Sequence, residues 1–314
     1  MLKNKWIRLA IAAVLLVIMV FSVWKITEPY RIRKAVNDSN KQAQNDFLIF
    51  ETTASSTQAP PTTPGGSTSQ TSQTTDTTTA QTTQASTETS PSGTEQSTTE
   101  AQTSSAQTTT LPPQTTAQTT ESIWPQFKLN WNAMQRSNPE IIGWIWAYDT
   151  TISFPLLQST DNQKYVTTLY DGVTKGSGGA IFADYRNSPK FTDRNTIIYG
   201  HNLNYGVMFG ALMRYADADY TRAHPYFCIM TRDGTLKYEI YSVYKTDAYG
   251  DTFTVIFPTS EGYAKYLDMA LENSLFDTGV VPTEDDLTVT LSTCTNNRRD
   301  ENERIVIHGR LITE

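Results

Sequence analysis

Leu287-Thr-Val-Thr-Leu-Ser-Thr-Cys294 and, after a polar stretch, Arg304-Ile-Val-Ile-His-Gly-Arg-Leu311 are the segments from which the fold can be read. Thr288, Thr290 and Ser292 alternate with Val289, Leu291 and Thr293, the period of a β-strand, and the strand delivers a cysteine at its carboxyl end. Asn296, Asn297 and the charged run Arg298 to Glu303 form a polar turn region, and a second strand follows over Ile305 to Ile312. A hairpin of this kind brings Arg304, the first residue of the return strand, beside Cys294. The guanidinium there stabilises the thiolate, which is the nucleophile, and can hold an oxyanion at a later step.

Upstream the strand signals continue. Ile141 to Ala147 and Ile152 to Leu157 form a pair around a turn at Asp149. Gly179 to Ala183 and Asn195 to Gly200 make two more strands, and Tyr226 to Thr231 with Leu236 to Val243 make a hairpin about Asp233-Gly234. Helical patterns interrupt the series at Asn162 to Leu169, at Val207 to Met213 and, most clearly, at Ser260 to Leu275. The last has Tyr263, Tyr266, Leu267, Ala270 and Leu271 on one face and Ser260 as N-cap. Many short strands with inserted helices predict a mainly β protein, a closed or nearly closed barrel of eight strands.

The chain has three histidines and two cysteines. His201 closes Thr196-Ile-Ile-Tyr-Gly-His201, a strand, then a glycine, then a polar turn. The glycine permits an unusual dihedral or a close approach, so the imidazole can project from a strand tip as Cys294 does. His224 precedes Pro225 in a loop, and His308 lies on the face of the last strand that Arg304 occupies, as a packed or surface residue. Cys228, inside Tyr226-Phe-Cys-Ile-Met230, reads as a buried core thiol. Two cysteines do not make a disulfide framework, and the composition calls for no metal and no cofactor.

The amino-terminal part has a different composition. Lys3, Lys5 and Arg8 precede the apolar run Leu9 to Trp24, extended by Ile26 beyond Lys25. It is longer than a signal-peptide core and lacks a small-residue cleavage site, so it reads as an uncleaved transmembrane signal anchor. Positive charge on both flanks leaves the orientation open. The expected organisation is a tail at 1–8, a span at 9–26, a juxtamembrane polar helix at 27–51, a disordered linker at 52–121 and a catalytic domain at 122–314. The linker is Thr, Ser, Gln, Ala and Pro with no aromatic residue. It has nothing to bury and is expected to act as a spacer, so that a fragment starting near Ser122 should match one starting near Glu28. The 314-residue chain carries a net charge of −7 without a basic stripe, which excludes a nucleic-acid partner.

Five segments together resemble the class B sortases, membrane-anchored cysteine transpeptidases of Gram-positive bacteria. They are Asn138-Pro-Glu-Ile-Ile-Gly-Trp-Ile145, Gly179-Ala-Ile-Phe-Ala-Asp-Tyr-Arg186, Asn195-Thr-Ile-Ile-Tyr-Gly-His-Asn202 with Met208-Phe-Gly210, Thr290-Leu-Ser-Thr-Cys-Thr295 and Arg304-Ile-Val-Ile-His-Gly309. The resemblance spans the globular part and implies an eight-stranded sortase barrel, with the Ser260–Leu275 helix as a class B feature. It implies Cys294 as nucleophile, His201 as general acid/base, Arg304 as stabiliser of the carbonyl oxyanion and Ser292 as a residue near the bound substrate. It further implies surface proteins with a C-terminal sorting signal as donors and a peptidoglycan cross-bridge or lipid-linked precursor amine as acceptor, at the outer face of the membrane. A pilin lysine is the alternative acceptor, and another cell-wall cysteine peptidase or L,D-transpeptidase the alternative enzyme. The long tract at 52–121 departs from the family pattern and leaves open whether residues 28–51 pack on the barrel.

Overall fold

The computed structural model describes residues 2–50, 123–203 and 206–313. The segment read as a linker lies outside the described residues. In chain order the described elements begin with helix α1 (Leu2–Phe47), strand β1 (Leu48–Phe50), strand β2 (Phe127–Leu129) and helix α2 (Trp131–Ser137). Strands β3 (Ile141–Trp146), β4 (Ser153–Leu157), β5 (Ile181–Ala183) and β6 (Asn195–Tyr199) follow, then the short β7 (Asn202–Leu203) and β8 (Val207–Met208). Helix α3 (Ala218–Ala223), strands β9 (Tyr226–Met230) and β10 (Thr235–Asp247), helix α4 (Ser260–Glu272), and strands β11 (Thr288–Cys294) and β12 (Glu303–Leu311) complete the fold.

Among the described residues, eight strands close into a barrel in the order β10-β12-β11-β6-β5-β4-β3-β9. Neighbours are antiparallel except for β11 with β6 and β4 with β5, which are parallel. Each expected strand is present. Three helical expectations change. Asn162–Leu169 holds one 3-10 turn at Lys164–Val166, and Val207–Met213 becomes β8 followed by a 3-10 helix at Phe209–Ala216. The cap of α4 is Thr259, not Ser260: the Thr259 hydroxyl accepts from the Gly262 amide at 3.0 Å, while Ser260 is already helical and its hydroxyl takes Arg194 Nη2 at 2.7 Å. The apolar face of α4 packs outside the barrel through Tyr263, Tyr266 and Leu267 against Tyr241 and Tyr244 of β10 and Val306 of β12.

In the amino-terminal segment the expected span at 9–26 and most of the expected polar helix at 27–51 are continuous. One helix runs from Leu2 to Phe47 with Pro29 inside it, and residues 48–50 are strand. Its first part is apolar and exposed, with mean hydropathy 2.6, long and apolar enough to cross a membrane. Its second part carries Val36, Ala43 and Phe47 on one face at helical spacing, all buried against the barrel unit. A Cβ at Gly178 would lie 2.1 Å from Val36 Cγ2, so the helix rests directly on that glycine. Gln44 Nε2 donates to the Ser153 carbonyl at 3.1 Å, and the Asn130 amide to the Phe47 carbonyl at 2.7 Å. β1 then pairs antiparallel with β2, Phe50 opposite Phe127. Residues 28–50 therefore belong to the packed unit, and the two ends of the intervening segment meet at one place on it.

Candidate active site

The two parallel strands β6 and β11 explain how distant residues converge. Parallel neighbours deliver their carboxyl ends to the same rim of a barrel. Their register runs to Ser292 opposite Tyr199, so one step on Thr293 faces Gly200, and the next step places Cys294 and His201 together at the rim. The antiparallel partner β12 sets Cys294 opposite Arg304, whose other neighbour is Thr246 of β10. The hairpin expected from the terminal stretch thus has the register that makes thiol and guanidinium adjacent.

Cys294, His201, Arg304 and Ser292 all line one cleft of ≈ 410 Å³. Cys294, His201 and Arg304 are half-buried there, while Ser292 is buried in the floor. His201 Nε2 donates to the Val166 carbonyl at 2.8 Å; a carbonyl only accepts, so the proton sits on Nε2 and Nδ1 is the basic nitrogen. Arg304 Nη1 donates to the carbonyls of Glu301 at 2.8 Å and Glu303 at 3.2 Å, which fixes the root of the guanidinium. Gly200 does not take a left-handed backbone. Its role is close approach: a Cβ there would meet the Phe209 ring at 2.8 Å.

Several cleft residues carry no sequence signal of their own. Phe182, Tyr199 and Phe253 form an aromatic wall, with ring centroids 5.4 Å and 6.2 Å apart in succession. Tyr199 donates to Asp184, which also takes a bidentate Arg186 and the Asn162 amide. Burial alone would raise the Asp184 carboxyl, but these donors outweigh it and hold it below its usual range. Val166 was hidden for a different reason. Its contribution is a main-chain carbonyl, which no side-chain pattern reveals.

The remaining histidines lie elsewhere. His224 stacks on Tyr220 at 4.0 Å and donates from Nδ1 to the Tyr220 carbonyl. His308 is fully buried beneath α4, stacked on Tyr244 at 5.1 Å.

A family model described as the sortase domain matches residues 149–312. The chain is 38% identical over 181 residues to sortase B of Listeria monocytogenes serovar 1/2a (strain ATCC BAA-679 / EGD-e), covering 58% of this chain and 73% of that one. Among solved structures it resembles B. anthracis sortase B in complex with AAEK1, at 35% identity and TM-score 0.54, covering 59% of this chain and 84% of the other. It also resembles the Staphylococcus aureus sortase B–substrate complex, at 28% identity and TM-score 0.55, covering 62% and 87%. A barrel with a thiol, an imidazole and a guanidinium on one rim is the architecture of a cysteine transpeptidase, and this chain belongs to the sortase family. Within that family it is of class B.

Proposed function

We propose that Cys294, His201 and Arg304 carry out the reaction, and that the enzyme joins surface proteins bearing a C-terminal sorting signal to the amino group of a peptidoglycan cross-bridge or its precursor. The observation behind this reading is the convergence of the three side chains on one cleft. The Cys294 thiolate attacks the scissile carbonyl, and Arg304 holds the oxyanion through donors other than Nη1. The C–N bond breaks as protonated His201 gives its Nδ1 proton to the leaving amine, and a thioester remains on Cys294. An acceptor amine then attacks the thioester, His201 takes its proton, the C–S bond breaks and the new peptide bond forms. Ser292 borders the bound signal from the cleft floor. The apolar half of α1 anchors the protein, with the barrel outside the cell.

The test is mutational. Cys294→Ala abolishes peptide cleavage and the thioacyl adduct seen by mass spectrometry, and Cys228→Ala keeps most of the activity. Turnover by Cys294→Ala protein overturns the reading. For the anchor, the mature protein retains its amino terminus, and a terminus processed beyond Trp24 on secreted protein counts against it.

A further inference from the structure

The β6–β11 ladder stops one residue short of the reactive groups. Its last main-chain bond runs from the Gly200 amide to the Ser292 carbonyl at 3.2 Å. Beyond it side chains continue the connection. Thr293 Oγ1 donates to the Gly200 carbonyl at 2.7 Å, Asn202 Nδ2 donates to the Cys294 carbonyl at 2.7 Å, and Asn296 Nδ2 donates to the Asn202 carbonyl at 3.0 Å. The three bonds alternate across the gap and bracket His201 on one side and Cys294 on the other. Asn202 is the centre of the set, since it donates through its side chain and accepts through its main chain. Its own backbone is held by pairing with Met208 across β7–β8. Asn296 reaches it from a left-handed turn (φ 56°), a conformation that asparagine tolerates better than most residues.

We propose that Asn202 is a positioning residue for the reaction, and that Asn202, Thr293 and Asn296 form a side-chain clamp holding the imidazole of His201 in register with the thiol of Cys294. The proposal rests on the assignment of Cys294 and His201 above. The physical need is plain. Cys294 stays paired with Arg304 of β12, but on the side that faces His201 the β6–β11 pairing has ended and the two chains are free to part. A displacement of about 1 Å between reacting groups can cost on the order of a hundredfold in rate. A donor on the Cys294 carbonyl fixes the main chain of the nucleophile without touching its sulfur. Asn202 is the right residue type because the bond needs a neutral N–H donor. An aspartate would set a carboxylate against that carbonyl and add negative charge beside the thiolate.

The test uses Asn202→Ala, Asn202→Asp, Thr293→Val and Thr293→Ser in the full-length enzyme, with Cys294→Ala as reference. Three quantities are measured: kcat and KM for peptide cleavage, the pH dependence of Cys294 alkylation by iodoacetamide, and Tm. Asn202→Ala is expected to lower kcat roughly 10- to 100-fold with KM within about twofold, and to change the alkylation profile, because the imidazole is no longer held in register with the thiol. Asn202→Asp falls below Asn202→Ala at pH 7. Thr293→Ser, which keeps the hydroxyl, retains kcat while Thr293→Val loses it, and this pair decides the matter if the Asn202 variants do not fold. Wild-type kcat in Asn202→Ala, or a lowered kcat with an unchanged alkylation profile, overturns the clamp while Cys294→Ala remains inactive. Activity in Cys294→Ala would instead refute the assignment beneath it.

Discussion

Cys228 and Cys294 are the same side chain in two environments, and the contrast sets their chemistry. Cys228 is wholly enclosed on β9, where burial, opposed in part by Lys237, pushes its thiol up to about 12. Native alkylation at pH 7–8 is therefore expected to modify one thiol per chain, with the second appearing only on denaturation, as mass spectrometry can count. His308 makes a related point about an imidazole. Thr290 Oγ1 donates to Asn195 Oδ1 at 2.8 Å, so at 3.0 Å it accepts from His308 Nδ1, and His308 Nε2 is buried with no partner among the described residues. Burial lowers its pKa to about 3 from the 6.5 of a free imidazole. The ring is neutral in the fold, whereas the unfolded chain protonates it below 6.5, so unfolding binds a proton between those values. The His308 contribution to stability is full above pH 6.5 and declines as pH falls toward 3, at most by about 1.4 kcal/mol per pH unit. His308→Gln should flatten that acid limb in a Tm-versus-pH series, even if it lowers Tm at pH 7. An unchanged slope would mean that other groups govern it.

At the level of elements, the cap of α4 offers a sharp comparison. Thr259→Ala removes the acceptor of the Gly262 amide and should cost about 1 kcal/mol in urea unfolding. Ser260→Ala removes only an exposed contact to Arg194 and should cost less than about half of that. Equal losses would restore Ser260 as the cap. The error of one residue is typical of what sequence hides, because two adjacent hydroxyl residues look alike until the backbone shows which one is non-helical. The strands were more legible. Alternation in Thr288–Cys294 and the polar run after it carried enough information to place Cys294 and Arg304 together, since a hairpin pairs neighbours in sequence. His201 was legible as a strand-tip imidazole, but the parallel pairing of β6 with β11 joins residues ninety-odd positions apart and leaves no local mark. Val207–Met213 failed for a tertiary reason: its apolar residues point into the barrel core from β8 and a 3-10 helix, a burial that mimics a helical pattern.

At the scale of the molecule, the sequence leaves open whether residues 28–51 pack on the barrel, and the structure describes that packing for residues 28–50. Composition marks 27–51 as polar with a few apolar residues, yet it cannot show that Val36, Ala43 and Phe47 meet a docking surface built from Gly178 and the strands beyond. Because β1 pairs with β2, the segment between Phe50 and Phe127 begins and ends at one point of the packed unit, so its length adds no separation between the apolar part of α1 and the barrel. The connection between them is α1 itself, which rises about 1.5 Å per residue and carries Pro29. Two deletions separate these roles. A protein starting at Glu28 with 52–120 replaced by a short Gly/Ser loop keeps the buried contacts of Val36, Ala43 and Phe47 and the β1–β2 pairing, and should match the parent in Tm and peptide cleavage. A fragment starting at Ser122 loses the buried Phe47 and Val36, each worth roughly 1.5–3 kcal/mol, and uncovers Leu203, whose Cδ1 lies near Gly178 two residues past His201. It should melt several degrees lower and cleave more slowly, because the His201 loop has lost its backing. Gly178→Leu in the longer protein should reproduce part of both defects by pushing Val36 away. Equal Tm and equal kcat/KM for the two deletion proteins would return residues 28–50 to the status of a passive connection, and the spacer reading of the whole amino-terminal region would stand.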